Sequence, residues 1–190
     1  MKISSILLCC ICILLAASFL QAGELVLYGG TQKPGTLTFD ALAEVPSDLL
    51  TGTWGGTFGL RLSAGKVIGA EQNFSYSPRF AVSGVQAFQM DTNLLVQAPG
   101  KVSPYGTAGI GWIYTWGQST FPEDLDPAKI AAFAFDIGSE FAFNYGGGIK
   151  VRRVLGPMGF NFDIRGYTIP SARDSSLSFI QMGVGAVFTW

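Results

Sequence analysis

The chain has 190 residues, a length that fits a single domain. Glycine accounts for 25 residues, aromatic side chains for 13%, and charged side chains for 13%, about half of the ~25% typical of soluble globular proteins. The net charge of −1 excludes a basic nucleic-acid binder, the 48% hydrophobic content excludes a disordered chain, and the lack of histidine excludes any histidine-dependent catalytic or metal site.

Residues 1–22 are predicted to form a secretory signal peptide. A lysine at position 2 precedes an apolar run, 6–17, that is too short to span a bilayer as a helix. Small residues follow, and Ala22 fits the position before a cleavage site, so the domain is expected to comprise 23–190. The apolar run contains the three cysteines, which we interpret as apolar filler because no small residue precedes them as a lipoprotein anchor requires: Cys9, Cys10 and Cys12.

Apolar and polar side chains alternate in eight segments after residue 22, the period expected of half-buried β-strands. The predicted strands are 24–31, 53–63, 67–77, 84–97, 102–116, 139–154, 158–168 and 177–190. Most exceed the ~5–6 residues common in soluble sheets. They are long enough for tilted membrane-spanning strands, which need ~9–11 residues.

Short and long connections alternate between these strands. The short ones, 64–66, 99–101 and 156–157, consist largely of residues that favour turns. The long ones are 32–52, 78–83, 117–138 and 169–176. This alternation is typical of outer-membrane barrels, which have short periplasmic turns and longer external loops. The sequence therefore predicts an all-β, eight-stranded antiparallel up-and-down transmembrane β-barrel.

The polar face of the strands is predicted to line the lumen, whereas a soluble lipocalin-like barrel would have the polar face outside. Small residues and charges of both signs suit a narrow, filled interior. The charged residues predicted to line it are Arg61, Glu71, Asp91, Lys150, Arg152, Asp163 and Arg165. The apolar face carries aromatic residues at both ends, the pattern of two interfacial girdles; these are Trp54, Tyr76, Tyr114 and Trp116 near the long links, and Phe188 and Trp190 near the short turns.

Two hairpins allow a register to be predicted from the turn length and from the faces. A turn at 64–66 would pair Ser63 with Val67, placing Trp54 opposite Tyr76 and Gly59 opposite Glu71. A two-residue turn at 156–157 would pair Leu155 with Met158, and the resulting lumen pairs are Lys150 with Asp163 and Arg152 with Asn161.

Several strands resemble those of the OmpA-like eight-stranded outer-membrane barrels. The resemblance lies in 104–112, 144–150, 159–167 and the C-terminal 183–190. It implies location in the cell outer membrane, contact with its lipid and lipopolysaccharide, and an assembly signal at Phe188 and Trp190 that the barrel-assembly machinery reads. Larger members of the family carry a peptidoglycan-binding domain after the barrel; since none follows here, we expect no cell-wall tether of that kind.

Candidate chemistry is sparse. Outer-membrane lipid A deacylases and palmitoyltransferases resemble this scaffold but use a histidine with a serine, so a chain without histidine lacks their general base. The glycine clusters 55–56 and 146–148 lack the spacing of phosphate loops. Three acidic residues in 122–127 are candidate ligands for a divalent cation, with a solvated loop tip as the alternative: Glu123, Asp124 and Asp126. We expect no enzyme activity and no cofactor.

The expected function is a structural or surface-interaction role carried by the external loops 32–52 and 117–138. A narrow porin-like channel for small solutes or ions is the alternative, followed by a lipid-modifying enzyme or a soluble lipocalin-like binder. No nucleic-acid partner is expected, and the sequence does not identify an external partner.

Overall fold

The computed structural model describes residues 23–34, 54–80, 85–117, 138–172 and 175–190. Eight strands follow one another along the chain: β1 (Glu24–Pro34), β2 (Gly55–Ala64), β3 (Ile68–Ser77), β4 (Val85–Gln97), β5 (Val102–Gly117), β6 (Ser139–Leu155), β7 (Met158–Ala172) and β8 (Ser175–Thr189). Each strand pairs antiparallel with the next, and β8 pairs with β1, so the sheet closes into a barrel. The predicted fold class is confirmed.

The barrel has two distinct ends. The turns β2–β3, β4–β5 and β6–β7, the start of β1 and the end of β8 lie at one end, called here the short-turn end. The segments 35–53, 81–84, 118–137 and 173–174 connect the strands at the other, called the long-link end. The predicted signal peptide lies outside the described residues. Within the described ranges, no helix is both long and apolar enough to cross a membrane.

Most side chains in the interior are polar, and apolar side chains cover the outer surface. On β4, odd-numbered residues such as Asp91 and Asn93 are buried, whereas even-numbered residues such as Phe88 and Leu94 are exposed. The same alternation continues on β5, where Tyr114 is exposed beside the buried Ile113. This distribution is the reverse of that in a soluble lipocalin-type barrel, and it suits a barrel whose solvent is lipid.

The β2–β3 hairpin keeps the predicted faces but not the predicted register. The last pair is Ala64 with Ala70, and Tyr76 lies opposite Phe58. The predicted pairs of Ser63 with Val67, Trp54 with Tyr76 and Gly59 with Glu71 are therefore wrong. Gly65 adopts φ 110° and begins a wider turn, which displaces the partners by four residues. An even displacement preserves the side-chain faces, so the carboxylate of β3 still points into the lumen.

The β6–β7 hairpin begins as predicted and then changes register. Leu155 pairs with Met158, but a bulge between Val151 and Leu155 follows, with Arg153 at φ 52°. Because β6 contributes extra residues at this bulge, the pairs beyond it shift. The predicted pairs of Lys150 with Asp163 and Arg152 with Asn161 are wrong: Lys150 faces Asn161, and Asp163 faces Gly148.

Strands β7 and β8 extend further than the sequence predicts. The expected long link at 169–176 is wrong, because Ile169 pairs with Leu177 and Ala172 pairs with Ser175. A register shift separates these two pairs and contains Pro170. Proline cannot donate a ladder hydrogen bond but is tolerated at such irregularities. Pro170, predicted from the sequence to lie in a loop, therefore lies within β7.

Candidate functional site

Four charged side chains form a continuous chain of ion pairs at the centre of the lumen. Arg61 Nη1 lies 2.5 Å from Asp163 Oδ2, and Arg165 Nε lies 2.8 Å from the same oxygen. Arg165 also contacts both carboxylate oxygens of Glu71, at 2.6 and 3.1 Å. Each of the four side chains is almost completely buried. Cations and anions therefore alternate in space, which is the arrangement that offsets the cost of burying charge.

Neutral side chains occupy the remaining positions around this centre. The Tyr28 ring lies 3.8 Å from the guanidinium carbon of Arg61, a close cation–π contact. The Tyr28 hydroxyl donates to Asn73 Oδ1 at 2.9 Å, and the Tyr105 hydroxyl donates to Asp163 Oδ2 at 3.3 Å. These groups satisfy polar atoms that would otherwise be left buried without a partner.

Glycines on the adjacent strands give Asp163 the space that it occupies. Gly148 of β6 and Gly183 of β8 lie opposite it on either side. A Cβ atom on Gly148 would lie 2.7 Å from Asp163 Cβ, and one on Gly183 would lie 3.0 Å from Asp163 Oδ1. These two glycines therefore leave room for a charged side chain in a narrow barrel.

A second ion cluster lies nearer the short-turn end. Glu24 accepts a hydrogen bond from Lys150 Nζ at 2.7 Å and another from Arg152 Nε. Gln97 Oε1 accepts from Lys150 Nζ at 3.3 Å and from Arg152 Nη2 at 2.7 Å. The Arg152 side chain is 12% exposed, so this cluster reaches the rim of the barrel.

Asp91 is a buried carboxylate with a different environment. It accepts hydrogen bonds from Asn73 Nδ2 at 2.7 Å, Gln89 Nε2 at 2.8 and 3.0 Å, and the Tyr167 hydroxyl at 3.3 Å. Among the described residues, no ammonium or guanidinium nitrogen forms an ion pair with it. Neutral donors therefore stabilise this charge.

All seven charged residues that the sequence assigns to the lumen point inward in the structure. The residue that sequence reasoning missed is Glu24, which shares its face of β1 with the buried Val26 and Tyr28. With Glu24 included, the described lumen holds four anionic and four cationic side chains and is electrically balanced: Glu24, Glu71, Asp91 and Asp163 with Arg61, Lys150, Arg152 and Arg165.

An apolar layer lies on the long-link side of Asp91, and the sequence did not predict it. We define the apolar layer as the buried cluster Phe80, Val85, Ala87, Ile113, Ala142, Tyr167, Ile169 and Phe179. The ring of Phe179 stacks on Tyr167 with centroids 4.7 Å apart and meets Phe80 edge-on at 5.2 Å. The alternation along β4 could have predicted this layer, since Val85 and Ala87 are odd-numbered like Asp91 and therefore lie on the same, inward face.

The aromatic residues assigned to the girdles lie on the outer surface. Tyr76 stacks on Trp116 with centroids 6.1 Å apart, and Tyr114 lies 5.6 Å from the same indole. Trp54 and Trp190 are among the exposed side chains, and Phe188 is partly exposed. The candidate cation ligands Glu123, Asp124 and Asp126 lie outside the described residues; within the described part, no cluster of three or more acidic, cysteine or histidine residues could hold a metal.

No family model and no curated protein matches the chain. Several solved structures have a similar fold, among them the following three. Neisserial surface protein A matches at 9% identity with a TM-score of 0.59, covering 89% of this chain and 98% of that one. The N-terminal β-barrel domain of Pseudomonas aeruginosa OprF matches at 10% identity and 0.50, covering 88% and 98%. The outer membrane enzyme PagL matches at 11% identity and 0.50, covering 88% and 99%.

Identities near 10% show the fold and no shared activity. The coverage of almost the whole of each neighbour indicates that the likeness extends around the complete barrel. Closure of eight antiparallel strands, an apolar outer surface and these neighbours together confirm the resemblance seen in the strand sequences: the chain has the fold of the eight-stranded outer-membrane β-barrels.

Proposed function

We propose that this protein is an integral outer-membrane β-barrel with a lumen closed to solutes, and that its role is structural or interactive and is carried by the long links. The observation that carries the proposal is the lumen network, by which we mean the two ion clusters, Asp91 and their hydrogen-bonded neighbours. An eight-stranded barrel has an interior just wide enough for side chains to fill. Contacts between the side chains of the lumen network support such a filled interior.

Contacts of the lumen network cross the barrel between strands that are not neighbours. Arg165 of β7 reaches Glu71 of β3, and Arg61 of β2 reaches Asp163 of β7. Tyr167 of β7 reaches Asp91 of β4 at 3.3 Å. Direct contacts across the interior in several directions support a lumen that is occupied by protein rather than by an open path.

The apolar layer supplies a second barrier in series with the first. An ion or a polar solute that passed the lumen network would next meet a level of the barrel where Phe80, Ile113 and Phe179 offer it no polar partner. The buried polar residues Ser77 and Gln32 at this level already hydrogen-bond to each other, at 3.2 Å. Burial of a charge without a partner is strongly unfavourable. Breaking one ion pair would therefore leave the pathway closed at the apolar layer.

The outer surface supports placement in a membrane. Phe58, Leu94, Tyr145 and Val184 are each about 60% exposed, which is unfavourable in water and favourable against lipid hydrocarbon. Exposed aromatic residues lie towards both ends of this surface, as expected at the two membrane interfaces. Outer-membrane location is inferred from the fold shared with the three neighbours.

The alternative of a narrow channel rests on the charges of both signs in the lumen. Against it stand the direct ion pairs and the apolar layer. One structural neighbour, PagL, is an outer membrane enzyme. We do not propose enzyme activity for this chain, because it contains no histidine to act as the general base expected of enzymes on this scaffold.

Liposome swelling tests the proposal. The refolded full chain is incorporated into liposomes that are then diluted into isosmotic solutions of small neutral solutes such as arabinose. We expect the same swelling rate as in protein-free liposomes. A known general porin at the same protein-to-lipid ratio provides the positive control. A swelling rate that rises with the amount of incorporated protein would contradict the closed lumen.

A further inference from the structure

Among the described residues, the short-turn end exposes cationic side chains and no carboxylate side chain. Lys66 in the β2–β3 turn, Lys101 in the β4–β5 turn and Arg153 in the β6 bulge are all exposed. Arg152 lies beside them at the mouth of the lumen. We call these four residues the basic rim. Lys66, Lys101 and the adjacent pair Arg152 and Arg153 come from three separate parts of the sequence: two turns and the β6 bulge.

Hydrogen bonds hold these connections side by side. Gln97 donates through Nε2 to the Gly65 carbonyl at 2.8 Å, which ties the β2–β3 turn to the end of β4. The Arg152 backbone N–H donates to the Lys101 carbonyl at 2.7 Å, and its Nη1 donates to the Gly100 carbonyl at 3.0 Å. The basic rim is therefore one continuous arc rather than three isolated charges.

No acidic side chain neutralises this arc. In the described residues 23–25, 63–70, 96–104, 151–160 and 186–190, the single carboxylate side chain is that of Glu24. It is buried, and Lys150 and Arg152 already contact it. The exposed charge of Lys66, Lys101 and Arg153 is thus available to a partner.

Apolar side chains lie immediately next to the basic rim on the outer surface. Val67 and Ile68 follow Lys66, Val102 follows Lys101, and Val154 and Leu155 follow Arg153; all five are exposed. A cation next to a lipid-facing side chain lies at the level where hydrocarbon gives way to headgroups. At that depth, the neighbouring anion is a lipid phosphate.

The opposite end has the opposite charge. The links 35–53 and 118–137 contain seven acidic residues and a single basic one, Lys129; the acidic residues are Asp40, Glu44, Asp48, Glu123, Asp124, Asp126 and Asp136. The net charge of −1 conceals this separation, because a balanced lumen lies between an acidic end and a basic end. Lys33 and Arg79 are also exposed at the long-link end, but acidic residues outnumber basic ones there, so an anionic surface is attracted mainly to the short-turn end.

We propose that the basic rim binds the phosphate groups of anionic phospholipids in the leaflet at the short-turn end. The inference rests on the membrane placement in the proposed function but not on the closed lumen. Each lysine or arginine near an anionic membrane surface contributes about a fivefold gain in association. The rim would fix the depth of the barrel and recruit anionic lipid around it.

Spin-label electron paramagnetic resonance measures this selectivity directly. The refolded full chain is reconstituted in phosphatidylcholine, and spin-labelled phosphatidylglycerol is compared with spin-labelled phosphatidylcholine for the fraction immobilised at the protein surface. The test variant is Lys101→Gln/Arg153→Gln. The matched control is Lys33→Gln/Arg79→Gln, which also removes one lysine and one arginine but at the exposed long-link end.

We expect the unmodified protein to prefer phosphatidylglycerol several-fold at low salt. The test variant should lose most of this preference, the control should keep it, and 1 M salt should abolish it because the Debye length falls to ~3 Å. Equal immobilisation of the two lipids by the unmodified protein, or equal losses in both variants, would overturn the proposal. Co-sedimentation of the protein with isolated peptidoglycan, without any lipid preference, would also overturn it, in favour of a cell-wall partner. A conducting barrel that retains the preference would contradict the closed lumen alone.

Discussion

Asp163 lies between two guanidinium groups, and most of the central ion cluster depends on it. Its Oδ2 atom lies within 2.8 Å of both Arg61 and Arg165. Asp91 is equally buried, but its partners are amides and a phenol. The two aspartates therefore allow the energy of the ion pairs to be separated from the energy of burying a carboxylate.

Asp163→Asn should destabilise the barrel far more than Asp91→Asn. Removing one partner of a buried ion pair costs about 3–5 kcal/mol, because the remaining charges are left uncompensated. Asp91→Asn keeps an accepting oxygen and loses about 1 kcal/mol of hydrogen bonding. The measurement is the free energy of unfolding in urea, followed by tryptophan fluorescence of protein refolded into lipid vesicles. Equal losses in the two variants would show that the ion pairs contribute no more than neutral hydrogen bonds do.

The sequence could identify the charged residues of the lumen but not their partners. Parity along a strand decides which face a side chain occupies, and this is why Arg61, Glu71 and Asp163 are assigned to the interior. The partner depends on contacts across the barrel, such as that between Arg165 and Glu71, which join residues 94 positions apart. Neither turn length nor alternation contains that information.

At the scale of the strands, packing of β6 against β7 depends on a glycine opposite the central aspartate. Gly148→Ala should destabilise the barrel by about 1–3 kcal/mol, because the new Cβ would clash with the Phe162 backbone carbonyl oxygen and would lie 2.7 Å from Asp163 Cβ. Gly106→Ala is the matched control, since its Cβ would meet nothing closer than 3.9 Å. Unfolding in urea should distinguish the two variants; a Gly148→Ala protein as stable as the control would disprove the close packing.

The register of the strands marks the limit of what their sequences determine. A two-residue turn at 156–157 is correctly predicted from Gly156 and Pro157, but the bulge that follows arises from the conformation of Arg153, a residue type that gives no signal of a positive φ. Similarly, the wide turn after Ala64 depends on Gly65, which fits both the predicted and the observed turn. The predicted side-chain faces are nevertheless correct, because each register differs from the predicted one by an even number of residues.

At the scale of the whole molecule, the separation of charge between the two ends gives the barrel a direction. Cysteines introduced at single positions within 35–50 or 118–136 should react with a membrane-impermeant maleimide on intact cells. Cysteines at Lys66 or Lys101, exposed positions in the short turns, should react only after the outer membrane is permeabilised. The three native cysteines lie in the predicted signal peptide, so the processed protein is expected to give no background labelling. Reversed reactivity would place the basic rim outside the cell and contradict the orientation.

The architecture could be predicted from the sequence because a membrane barrel repeats one simple rule. Eight alternating segments and alternating connection lengths suffice for strand number, strand order and the inside-out distribution of polarity. The apolar layer was missed because the interior was taken to be polar along its whole length, although Ile113 and Phe179 occupy lumen positions. Its presence changes the interpretation of the lumen, since it adds a barrier that ion pairs alone do not provide.

Single-channel recording of the refolded, unmodified protein in a planar bilayer tests the closed lumen most directly. With the lumen network in contact across the barrel and the apolar layer in series with it, we predict a baseline indistinguishable from the protein-free bilayer in 1 M KCl. Asp163→Asn, which breaks the first barrier but leaves the second, should give the same baseline. Long-lived openings of uniform conductance in the unmodified protein would contradict the account and favour a pore.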